Sequence, residues 1–185
     1  MSEPAPEQGK GPRRRAELVE AAGSLILEHG PAQVTHRRVA ARAGASLSAT
    51  TYYFRDLEEL RGEGARLIAE LWAEQAEWAA ERAEEAGPDH EEALDLVCDA
   101  LLPPPAGVRG HYEQLAGAGR SPAVAAAYRA GRETIRGAVA RVLTAAGSAC
   151  TAEVAIAVVD GAVLAALSEG GDPREEARRL LALVL

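Results

Sequence analysis

Cysteine, lysine and aromatic residues are scarce in this chain. Its two cysteines, Cys98 and Cys150, lie too far apart to form a metal-binding pair and are too few for a disulfide framework, so a cross-linked secreted scaffold is excluded and a reducing cytoplasm fits. Lysine occurs once, against nineteen arginines, and aromatic residues make up 4% of the sequence. No apolar run approaches the roughly 20 residues that cross a bilayer, so no membrane partner is expected. Walker loops, Gly-X-Ser-X-Gly motifs and strand-like alternation are also missing. The four histidines, His29, His36, His90 and His111, are scattered, and His90-Glu91-Glu92 lacks the second histidine of a zinc-protease helix. No catalytic residue, metal or cofactor is therefore expected, and the chain does not read as an enzyme.

What remains is abundant alanine, leucine and valine at helical spacing, which predicts an all-α protein. The net charge of −8 is unevenly placed. Between Lys10 and Arg55 stand eight basic residues and three acidic ones, a local balance of +5, which leaves −13 for the rest. A basic head on an acidic body confines attraction for polyanions to one end. Met1–Pro12 is polar and rich in proline and glycine, and is expected to be a disordered arm ending at Arg13-Arg14-Arg15.

The segment Val34–Leu60 carries the densest signal. Thr35 can cap a short helix with apolar Val39, Ala40 and Ala43 on one face, Gly44 can turn left-handed to end it, and Ser46 or Ser48 can cap the next. That second helix, Leu47–Phe54, offers small, hydroxylic and aromatic groups suited to phosphate oxygens and base edges, with Phe54 as the plug into the core. Two adjacent tyrosines, Tyr52 and Tyr53, cannot both point inward on a helix. This is a helix-turn-helix pattern.

From Arg14 to Leu60 the chain resembles the TetR family of one-component bacterial transcriptional regulators, through Ala21-Ala22, Gly30, Thr35, Val39-Ala40, Ala43-Gly44, Ser46, Tyr53-Phe54 and Leu60. It departs from the family's usual pattern at Ser48, at Thr50-Thr51 and at Leu57, where relatives tend to have Gly, Leu-Tyr and Lys. In relatives that tyrosine and lysine grip phosphate, so Tyr52, Tyr53 or Arg55 would have to substitute. The resemblance implies contacts to double-stranded operator DNA from Arg13, Arg14, Arg15, Thr35, His36, Ser46, Leu47, Ser48, Ala49, Thr51, Tyr52 and Tyr53. It also implies residues 13–60 as a three-helix head, residues 61–185 as an effector-binding and dimerisation domain, and about nine helices in all.

The remaining chain reads as helices and breakers. A first helix, Arg14–His29, stops at Gly30-Pro31, and Asp56 caps a long helix from Leu57 to Ala86, whose Gly62 and Gly64 suggest a bend. Further helices follow Asp89, precede Gly117–Gly119, and begin at Pro122. Thr151–Glu169 is apolar nearly all round, with Asp160 read as polar surface, and the helix from Pro173 carries an apolar stripe. Val154, Val158, Leu164, Leu167, Leu180, Leu181 and Val184 are the expected homodimer interface, a four-helix bundle shared by two chains. By resemblance, a small-molecule effector lodges among the body helices. Trp72, Trp78, Cys98, Tyr112, Tyr128 and Arg132 are the candidate lining, although Cys98, among Leu94, Val97 and Leu101, reads first as core. The expected function is a cytoplasmic, ligand-responsive DNA-binding regulator, a repressor released from its operator by the effector. The alternative is a helical dimeric ligand- or protein-binding module whose head has lost specific DNA reading.

Overall fold

The computed structural model describes residues 10–185, and within them every regular element is helical. The first nine residues of the expected arm lie outside the described residues. Its last three belong to α1 (Lys10–His29), which starts earlier than Arg14 because Pro12 falls in the first turn, where a missing N–H costs nothing. α2 (His36–Arg42) and α3 (Leu47–Tyr53) complete the head. The body comprises α4 (Leu57–Ala86), α5 (His90–Leu101), α6 (Val108–Ala118), α7 (Pro122–Ala145), α8 (Ala152–Glu169) and α9 (Pro173–Leu181).

Local chemistry sets the boundaries. The Asp56 carboxylate accepts from the Glu59 N–H at 2.8 Å and starts α4, and a reciprocal Asp89–Glu92 capping box starts α5. Ser121, Thr151 and Asp172 cap α7, α8 and α9 through their side-chain oxygens. Gly87 and Gly170 end α4 and α8 at φ 59° and 80°, a conformation that would strain any residue with a Cβ.

Two apolar clusters form the core. One joins Leu18, Ala22, Ile26, Val34, Val39, Phe54 and Leu60 of the head to Ile68 of α4 and Val124 of α7. The other lies within the body, among α4 to α9. α4 runs through both and packs most extensively on α7. It is continuous from Leu57 to Ala86, so Gly62 and Gly64 do not interrupt it. They are points of close approach instead: a Cβ on Gly64 would lie 2.9 Å from the Gly23 nitrogen, and one on Gly62 would lie 3.0 Å from the Ala123 Cβ. α1 and α7 therefore sit against α4 almost backbone to backbone, and the head is seated on the body without a slack joint.

Candidate functional site

The candidate DNA-reading surface is built on the α2–α3 turn. Thr35 Oγ1 accepts from the Arg38 N–H at 3.2 Å, and Ser46, rather than Ser48, caps α3 by accepting from the Ala49 N–H at 3.3 Å. Gly44 makes the turn at φ 57°. Thr50 and Phe54 face inward and are buried, so the opposite side of α3 presents Leu47, Ser48, Thr51 and Tyr52 to solvent. Tyr52 is 81% exposed, while Tyr53 is half-buried against the head core and meets Tyr52 edge to face at 4.9 Å. Ala49 is likewise half-buried. The two tyrosines thus have different roles: one projects and the other supports it.

The basic residues divide in the same way. Arg15 lies over the Phe54 ring at 5.1 Å and pairs with Glu63 at 3.1 Å, which ties α1 to α3 and α4. Arg14 pairs with Glu17 and reaches the Ala43 carbonyl at the turn, and Arg13 pairs with Glu17 from an exposed position. Arg42 grips Glu28 with both guanidinium nitrogens, which holds that carboxyl below its usual range. His36 is half-buried, and its Nδ1 has no partner. Arg37, missing from the expected contact set, is exposed and forms no ion pair among the described residues. Only its place just after the α2 cap could have indicated it. No acidic residue falls between Val34 and Phe54, so the surface carries no carboxylate of its own.

In the body, α4, α5, α6, α7 and α8 line a cavity of about 250 Å³. Trp72, His111 and Tyr128 form an aromatic cluster on its wall: the Trp72 ring lies 4.2 Å from His111 and 5.4 Å from Tyr128. Arg129, Arg132 and Asp160 supply the charge. Asp160 is not merely polar surface, since it accepts from Tyr112 Oη at 3.0 Å and from Arg132 at 2.7 Å. Burial pushes His111 down to about 4, so its imidazole is neutral at physiological pH, and its Nδ1 is buried without a partner. Burial also raises the phenols of Tyr112 and Tyr128, and both remain protonated donors.

Of the six residues expected to line an effector site, Trp72, Tyr128 and Arg132 line this cavity. Tyr112 stands behind the wall, holding Asp160. Trp78 faces away beneath Arg82, beside a separate groove, because a position six residues beyond Trp72 falls on another side of the helix. Cys98 is fully buried in the body core, its thiol pushed up to about 11 by burial, and it contributes packing rather than lining. His111, Arg129 and Asp160 line the cavity although none was in the expected lining.

A polar chain leaves this cavity towards the head. Tyr128 Oη donates to Gln114 Oε1 at 3.2 Å, and Gln114 Nε2 donates to the Leu27 carbonyl in the last turn of α1 at 2.9 Å. Gln114 itself is 1% exposed. Beside it, Ser121 at the start of α7 donates to Glu58 at the start of α4, and Arg61 donates to the Val34 carbonyl ahead of α2.

The far end of the body leaves an apolar face open. Val154, Ala157, Gly161, Leu164 and Ser168 follow one another on α8 at three- or four-residue steps and are exposed, as are Leu183 and Val184 after α9. Val158, Leu167 and Leu180 are half-buried beside them, whereas Leu181 is fully buried and belongs to the chain's own core.

The family model described as "Tetracyclin repressor-like, C-terminal domain" matches residues 88–185, more than half of the chain. The chain belongs to the TetR family. The solved structures similar to this TetR-family protein include a putative TetR-family transcriptional regulator from Mesorhizobium loti, at 20% identity and a TM-score of 0.69 over 95% of this chain and 94% of that one. The multidrug binding protein EbrR, complexed with proflavin, matches at 28% identity and a TM-score of 0.68, covering 93% and 99%. A TetR-family member from Streptomyces coelicolor A3 matches at 29% identity and a TM-score of 0.64, covering 94% and 99%. No curated protein matches the chain. The TetR-family architecture, a helix-turn-helix head on a helical body, is thus the architecture of this transcriptional regulator, and no helix among the described residues is long and apolar enough to cross a membrane.

Proposed function

We propose that this protein is a homodimeric repressor which binds operator DNA through the α2–α3 surface of each head and leaves it when a small molecule occupies the body cavity. The observation that carries the reading is the buried chain Tyr128–Gln114–Leu27, which links the cavity wall to the head through two hydrogen bonds. A ligand seated against Tyr128 competes with or shifts its bond to Gln114. Gln114 then either loses a partner or moves with it, and α1 moves too, because an unsatisfied buried amide costs about 1–3 kcal/mol. That energy is enough to bias two arrangements of the heads, and a differential affinity of this size is what a released repressor needs.

Two heads must reach successive major grooves about 34 Å apart, so a small rotation of each one breaks the match. The open faces of α8 and of the segment after α9 support pairing of two chains into a bundle. Carried over from EbrR, a multidrug binding protein solved with proflavin, the cavity is where the effector sits. Leu57, half-buried against the head core where the family tends to have a phosphate-gripping lysine, favours the second reading, a ligand-binding dimer with a weak head. Measuring operator affinity with and without ligand separates the two: a repressor loses specific DNA binding on saturation, and a ligand-binding dimer shows none to lose.

A further inference from the structure

The charge balance of the cavity says which ligands it can hold. Its single carboxylate, Asp160, is already engaged, accepting from Tyr112 at 3.0 Å and from Arg132 at 2.7 Å. Against it stand two guanidinium groups, and Arg129 forms no ion pair among the described residues. His111 adds no charge, since burial keeps it neutral. The cavity wall therefore has an excess of positive charge over an aromatic cluster, and a cation entering it would meet no free acid. His111, 8% exposed, contributes its ring to the cavity wall beside Trp72, while its Nδ1 is buried away from the open space. The volume of about 250 Å³ lies just below the range of roughly 300–1,000 Å³ that suits drug-sized ligands, which limits the occupant to one or two rings.

We infer that the effector is a small aromatic carboxylate, with its ring among Trp72, His111 and Tyr128 and its carboxylate on Arg129 and Arg132. The inference rests on the proposed placement of the effector in this cavity, and it separates this chain from sites that select planar cations. The guanidinium pair recognises the acid in two-pronged fashion, the ring fills the apolar wall, and the acid competes with Asp160 for Arg132.

The chain has two tryptophans, so Trp78→Phe leaves Trp72 as the only reporter within the cavity. Quenching of Trp72 in that variant, titrated with 4-hydroxybenzoate and 4-hydroxybenzamide, and calorimetry with ethidium, an aromatic cation, test the inference directly. The acid is expected to bind about tenfold more tightly than the amide, the worth of one charge-assisted hydrogen bond, and ethidium more weakly than either. Arg129→Ala should abolish the preference for acid over amide. Asp160→Asn, which keeps an acceptor for Tyr112, should tighten acid binding, whereas in a cation site it would remove ligand binding altogether. Equal binding of acid and amide, tighter binding of ethidium, or no saturable quenching by the acid at millimolar concentration would each overturn the inference. Operator binding by the unliganded protein is measured separately, so a failure of the regulator reading shows there and not in these titrations.

Discussion

Gln114 donates to the Leu27 carbonyl at 2.9 Å across the junction of α6 and α1, and this one bond joins a buried body residue to the head. Gly110, one helical turn earlier, makes it possible: a Cβ there would lie 2.9 Å from the same carbonyl. Gln114→Leu keeps the volume and removes the bond. The expected outcome is a protein that still binds DNA and still binds ligand, but whose DNA affinity falls about tenfold less on ligand saturation than in the parent. Fluorescence anisotropy on labelled operator, with and without ligand, gives the comparison, and an unchanged ligand response would remove Gln114 from the coupling.

The exposed Tyr52 and Arg37 should affect binding differently. Tyr52→Ala is expected to weaken binding to the operator by about 1–3 kcal/mol while leaving random duplex unchanged and the thermal midpoint close to that of the parent. Arg37→Ala is expected to weaken both duplexes and reduce the salt slope by about 1. Tyr53→Ala should lower stability as well as binding, because Tyr53 packs on the head core.

Close packing on α4 predicts a pair of opposite effects. Gly64→Ala sets a methyl 2.9 Å from the Gly23 backbone nitrogen, where no flexible side chain can yield, and should cost about 1–3 kcal/mol. Gly137→Ala, on an exposed face of α7 with nothing within 4 Å, should stabilise by about 0.4–1 kcal/mol. Thermal unfolding of the two variants should shift in opposite directions from the parent.

Acid should destabilise the body through His111. Its folded pKa, about 4, lies below that of the unfolded chain, about 6.5, so the unfolded state binds the proton first as pH falls. The stability is fully present above about pH 6.5 and is lost progressively down to about pH 4, by roughly 3 kcal/mol at most. A His111→Gln variant should show a flatter profile across that window in denaturant titrations.

Leu164, 54% exposed at the middle of the open face of α8, is the position at which a charge should most damage pairing. Leu164→Glu is expected to yield a folded monomer by sedimentation and to bind the operator far more weakly than the parent, since each monomer holds a single half-site.

The helices were legible in the sequence because their ends carry explicit chemistry: Asp56, Asp89, Pro122, Thr151 and Pro173 mark starts, and Gly30 and Gly87 mark stops. The inward Phe54 was legible, and periodicity required that Tyr52 and Tyr53 not both face inward, but only packing decided that Tyr52 is the one that projects. The cavity was harder to read, since its wall combines residues distant in sequence. His111 had no motif to distinguish it, and Asp160, one acid in an apolar helix, gave no sign that Tyr112 and Arg132 would converge on it from α6 and α7. Gly62 and Gly64 suggested a bend because propensity registers only the helix's own cost. The close neighbours that make small residues necessary, Gly23 and Ala123, are a tertiary fact. Arg14 and Arg15 have a second role that the sequence did not announce, bracing the head through Glu17, Ala43, Glu63 and Phe54.

Operator recognition is checked by salt-titrated binding of the full chain to the DNA upstream of its own gene, with random duplex of equal length as the reference. At physiological salt, binding to that DNA should be at least about 1,000-fold tighter than to the random duplex, with two chains per site. Equal affinity for the two duplexes would rule out a repressor.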